Sequence, residues 1–93
     1  MHFPGFSKEA ASLLLKKEIA GIGIDTLSPD GSDLAIFPVH HLILGAGKYI
    51  LENLANLQAM PPAGAFCIAL PPKLRDATES ALRVVALFPS HSR

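Results

Sequence analysis

Apolar residues fall at helical spacing near the start of the chain. In "SKEAASLLLKK" the positions Ala10, Leu13, Leu14 and Lys17 follow one face, and Ala11 and Leu15 widen the apolar stripe. Ser7 stands where an N-cap belongs, so a helix is expected from about Lys8 to Lys17. "IAGIGID", residues 19 to 25, changes character. It is apolar, β-branched and broken by glycine, and it predicts a buried strand with close backbone approach at Gly21 and Gly23. "TLSPDGSD", residues 26 to 33, is polar and carries a Pro-Asp-Gly turn. "PVHHLILGAG" then predicts a short helix, with Pro38 in its first turn and Gly45 or Gly47 closing it.

The rest of the chain reads as strands. "KYILENL" is one. "ANLQAMPPAG" is a short helical turn ended by two prolines, and "AFCIALPPK" is a strand stopped by Pro71 and Pro72. "LRVVALFP", residues 82 to 89, is the last. The expected order is α-β-α-β-β-β: an α/β fold with mixed strands and short helices, without internal repeats.

Composition adds a deficit of polar cover. Hydrophobic residues make up 49% of the 93 positions and charged ones only 17%, against a usual quarter. A chain of this length buries only about 60–65% of its unfolded surface. The expectation is a single partial domain over residues 1–93, a piece of something larger or a subunit that covers its surface with a partner. Net charge is zero, and the densest basic spot, Lys16 with Lys17, falls at a helix end where it suits the dipole. Neither a nucleic-acid partner nor an anionic membrane is indicated. No apolar run reaches the roughly 20 residues of a membrane span, and "MHFPGFSKEA" is not built as a signal peptide. The single Cys67 excludes an internal disulfide and points to a reducing, cytoplasmic setting.

Few residues could carry chemistry. Asp25 ends a predicted strand, where α/β proteins place functional groups, but a turn aspartate is the commoner use. Cys67 lies mid-strand and is expected as a buried, inert thiol. His2 and His91 lie near the termini and are expected in solvent. His40, His41 and Glu52 remain. Neighbouring helical residues point about 100° apart, so the two histidines cannot serve one site. Glu52 breaks an apolar strand, sharing a face with Ile50 and Leu54, and burying it alone would be unfavourable. A helix followed by a returning strand can bring His40 against Glu52. The pair could then hold zinc or manganese, or form a structural hydrogen bond, or leave Glu52 exposed on an edge.

The runs "GIGIDTLSPDG" and "FPVHHLILGAGKYILENLANL" resemble the cyclase family of metal-dependent hydrolases, which includes kynurenine formamidase and isatin hydrolase. "HFPGFSKEAASLLL" before them is similar too. So are "MPP", the strand ending in "LPPK" and "RVVALFP" after them, in unbroken order along nearly the whole chain. The resemblance implies part of a swivelling β/β/α architecture and a metal, zinc or manganese. It implies a metal-ligand histidine at the start of the short helix and a glutamate twelve positions on. That spacing selects His40 with Glu52 and leaves His41 as a bystander.

The implied reaction is hydrolysis of a small-molecule amide, of the arylformamide or cyclic-amide kind, in an oligomeric enzyme. The family's principal motif, His-x-Gly-Thr-His-x-Asp-x-Pro-x-His, supplies most ligands and the catalytic histidine there, and it does not occur in these 93 residues. "RDATESAL" also replaces a Gly-rich segment of the family. The expectation is therefore a C-terminal portion with an incomplete site and no catalytic residue of its own, inactive alone. A non-catalytic subunit bound to a full-length relative, and one half of a split enzyme, are the other readings.

Overall fold

The computed structural model describes residues 3–31, 37–73, 75–76 and 79–89, which form two compact units, 1–57 and 58–93. His2 and His91 lie outside the described residues. The first unit holds α1 (Lys8–Lys16), β1 (Gly21–Gly23), α2 (Pro38–Gly45) and β2 (Tyr49–Leu51). The second holds a 3-10 turn at Leu57–Ala59 that straddles the boundary, then β3 (Phe66–Leu70) and β4 (Arg83–Leu87). This is the α/β order read from the sequence.

Local chemistry explains the first unit. The Ser7 hydroxyl accepts from the Ala10 N–H at 3.0 Å and starts α1, while Lys16 occupies its last turn. Ala11 is fully buried beneath α2, with Leu14 and Leu15 packed beside it. Ile22, Val39 and Ile43 complete the buried cluster, and Phe6, Ile19, Leu42 and Ile50 pack against it. Helix α2 ends in a Schellman motif: Lys48 N–H reaches Ile43 O, Gly47 N–H reaches Leu44 O, and Gly47 takes φ +78°. That reversal sends the chain straight into β2, which pairs in parallel with β1 through Gly21↔Tyr49, Ile22↔Ile50 and Gly23↔Leu51.

Both strands are shorter than the apolar runs that predict them. The regular ladder ends at Leu51, so Glu52 follows the strand rather than lying within it; beyond it Asn53 takes φ +57°, and Asn53 N–H bonds Thr26 O while Leu54 N–H bonds Ile24 O. The expected close approach at the glycines is made by side chains instead of backbone. A Cβ on Gly21 would collide with the Tyr49 ring, and one on Gly23 would lie 2.7 Å from a Leu54 methyl carbon.

In the second unit β3 and β4 form an antiparallel ribbon, from Phe66↔Leu87 to Leu70↔Arg83. A two-stranded ribbon covers neither of its faces well. Phe66 is 68% exposed, and Leu70 and Leu87 are each 55% exposed. The expectation that Cys67 is buried fails for this reason: its thiol is exposed, opposite Ala86 on an open ribbon. Among the described residues no helix is long and apolar enough to cross a membrane.

Candidate metal centre

The site begins with a bookkeeping problem at the start of α2. The first N–H groups of a helix need acceptors from outside it. Phe37 holds the N-cap position at φ +50°, and its side chain offers no acceptor. Pro38 has no N–H to satisfy. The next two donors turn to a carboxylate nine and ten residues upstream. Val39 N–H donates to Asp30 Oδ1 at 2.6 Å and His40 N–H donates to Asp30 Oδ2 at 3.0 Å. His41 N–H then makes the first helical bond, to Phe37 O at 3.1 Å.

The loop that delivers Asp30 is itself pinned. Gly31 N–H bonds Ser28 O, Asp30 N–H bonds the Ser28 hydroxyl, and Gly31 takes φ +79°. Phe6 N–H donates to Pro29 O at 2.6 Å. The Thr26 hydroxyl lies 3.1 Å from both Pro4 O and Ser28 O. Gly5 packs so tightly on this turn that a Cβ there would lie 2.7 Å from Pro29 O and from the Asp30 carbonyl carbon.

Asp30 is buried, and it also holds the His40 ring. Its Oδ2 lies 2.7 Å from His40 Nδ1. Burial pushes the Asp30 carboxyl upward in pKa. The hydrogen bonds from the His40 ring and from the two backbone N–H groups, with the imidazole charge, outweigh it, so the net position is below the ordinary value. Asp30 is therefore an ionised acceptor at neutral pH.

The other edge of the ring faces Glu52. His40 Nε2 stands 3.4 Å from Glu52 Oε2, with the two side chains 30% and 28% exposed. That distance is long for a hydrogen bond. The Phe37 ring meets His40 edge-on, centroids 5.6 Å apart at 83°. A cavity of about 410 Å³ opens alongside, lined by Phe37, His40, His41, Leu44 and Gly45. The structure thus brings His40 and Glu52 together, while His41 is exposed and reaches only the cavity wall. Asp25 is exposed and takes no part.

In the sequence Asp30 stands out only as the centre of the Pro-Asp-Gly turn. Its signal was indirect: a helix that starts Phe-Pro, with no capping side chain, needs an acceptor from elsewhere. The donor set fits a divalent cation in part. An imidazole nitrogen and a carboxylate oxygen converge, and the far ring nitrogen is held by a second carboxylate, as metal-binding histidines commonly are. Among the described residues no group of three or more His, Cys, Asp or Glu side chains could hold a metal.

Residues 1–31, which include Asp30, match the family model described as "Putative cyclase". The resemblance to the cyclase family holds. The chain is 36% identical over 92 residues to isatin hydrolase of Roseibium aggregatum, covering 95% of this chain and 35% of that protein. It is 37% identical over 83 residues to kynurenine formamidase of Polaromonas naphthalenivorans, covering 89% of this chain and 37% of the relative. The solved structure of isatin hydrolase A from Ralstonia solanacearum superposes with a TM-score of 0.87 at 39% identity, over 95% of this chain and 35% of that one. The chain thus spans about a third of the length of the cyclase-family proteins it matches.

Proposed function

We propose that His40 and Glu52 are two ligands of a zinc or manganese site in a cyclase-type hydrolase acting on an amide bond of a small molecule. The observation that carries this is the convergence of His40 Nε2 and Glu52 Oε2 at 3.4 Å with Nδ1 already committed to Asp30. The names and extent of the relatives support the reaction class. The 93 residues act as one partial domain, and the remaining ligands and the general base come from outside them. A metal bound there would polarise the amide carbonyl and acidify a water. The residues of this chain do the rest that falls to it. Asp30 orients the imidazole, Glu52 supplies negative charge, and Phe37 and Leu44 give the neighbouring cavity an apolar wall on which a substrate can rest.

Two side chains do not complete a catalytic site, which normally takes three protein ligands. On its own the chain is expected to bind zinc or manganese weakly and to hydrolyse neither arylformamides nor cyclic amides. The decisive experiment co-expresses it with the complementary part of a full-length relative such as isatin hydrolase A. Metal-dependent amide hydrolysis should appear and fall by more than about a hundredfold in His40→Ala and in Glu52→Gln, beyond what losing an outer-sphere contact does. Reconstituted activity that ignores both substitutions would refute the assignment. A purely associative role is the second reading, favoured by the open apolar ribbon β3–β4. It predicts a stable complex with the relative in which both substitutions are silent.

A further inference from the structure

His40 has two tautomers, and only one presents a lone pair to Glu52. The two ring nitrogens meet unequal partners. Nδ1 lies 2.7 Å from a fully buried Asp30 side chain, while Nε2 lies 3.4 Å from a Glu52 side chain that is partly open to water. When the imidazole is neutral, its one proton stays where the acceptor is nearer, drier and negatively charged. The Asp30 carboxylate cannot swing away, because its Oδ1 accepts from Val39 N–H and its Oδ2 also accepts from His40 N–H.

We infer that Asp30 is a positioning residue that locks His40 in the Nδ1–H tautomer, leaving Nε2 unprotonated with its lone pair aimed toward Glu52. This choice opposes the one that free imidazole makes in water, where the proton prefers Nε2. The same carboxylate caps α2, so the helix start and the ligand's orientation are fixed together. The consequence for metal binding rests on the proposed function; the tautomer itself does not. The immediate neighbours support the assignment. No other described carboxylate or cation pairs with the His40 ring, and His41, the nearest titratable group along the helix, is exposed and faces away by about one helical step.

The test is nitrogen-15 NMR of the histidine-labelled chain without metal, at a pH where imidazole is neutral. His40 should show a pyrrole-type Nδ1 and a pyridine-type Nε2. The Nδ1–H form should be in excess by about tenfold, the factor expected of a charge-assisted hydrogen bond. His41, exposed on the same helix, should show the solvent preference and serve as the internal reference. In Asp30→Asn the amide keeps an oxygen on the buried Val39 N–H and turns an NH2 donor toward Nδ1, so the proton should move to Nε2. A helix cap alone would not shift the tautomer. An Nε2–H majority at His40 in the unsubstituted chain, or the same tautomer in Asp30→Asn, would overturn the inference. If the variant fails to fold, the difference between His40 and His41 in the unsubstituted chain decides. Zinc or manganese titration of the same sample reports separately on the metal assignment, which can fail while the tautomer result stands.

Discussion

Replacing Asp30 with alanine removes three bonds at once: those from Val39 N–H at 2.6 Å, His40 N–H at 3.0 Å and His40 Nδ1 at 2.7 Å. Val39 is fully buried, so water cannot replace the lost acceptor there. An unsatisfied buried donor is worth roughly 1–3 kcal/mol, and loss of a helix cap about 0.5–2 kcal/mol. The two effects overlap on the same N–H groups, so the expected loss is about 2–4 kcal/mol rather than their sum. Against a total stability of about 5–15 kcal/mol for a small domain, that is a large fraction. Urea unfolding followed by far-UV circular dichroism should show the midpoint falling by about 1–2 M if the slope is near 2 kcal/mol per M. Asp30→Asn, which retains one acceptor, should fall by less. A loss below about 0.5 kcal/mol in Asp30→Ala would mean that α2 does not depend on this carboxylate, and the account of the site would fail with it.

Acid should reproduce part of this. A carboxyl held below its ordinary value contributes stability above the unfolded pKa, near 4, and loses it as pH falls through the folded value. Unfolding midpoints should therefore drop as the pH is lowered below about 4, with a smaller drop in Asp30→Asn. Gly5→Ala places a methyl against backbone atoms of Pro29 and Asp30 that cannot rotate away, and should destabilise by about 1–3 kcal/mol while moving the His40 nitrogen signals. The isolated chain should self-associate at micromolar concentration through the apolar ribbon, with a sedimentation coefficient that rises with loading; a compact monomer with concentration-independent cooperative unfolding would contradict this.

The elements were legible where local chemistry decides them. Ser7 marks the start of α1, Gly47 marks the end of α2, and the prolines at 71 and 72 follow the end of β3. The pairing of His40 with Glu52 was legible through the twelve-residue spacing of the family that the chain resembles; a helix followed by a returning strand left a structural hydrogen bond or an exposed Glu52 equally open. Asp30 was not, because its partners are backbone groups ten positions away and a turn aspartate carries no pattern that points to them. The Cys67 thiol is exposed, against the expectation of burial, for a related reason. Strand propensity predicts pairing, but burial needs a layer above the ribbon, and nothing within "AFCIAL" reports whether one is there.

The contacts that build the site span short stretches of chain, ten residues from Asp30 to His40 and twelve from His40 to Glu52. Closing loops of that length takes on the order of 10–100 ns and loses little chain entropy. The turn that carries Asp30 is tied down by a longer closure, 22 residues from Thr26 to Pro4. The shorter closures are favoured over the longer one by about 0.6 kcal/mol, the cost of one doubling of loop length. The imidazole and its two carboxylates can therefore meet before the N-terminal segment docks, and the packing of Gly5 on the turn then adds a further tie. In a transition-state analysis Asp30 and Val39 substitutions should slow folding, while Gly5→Ala should chiefly speed unfolding.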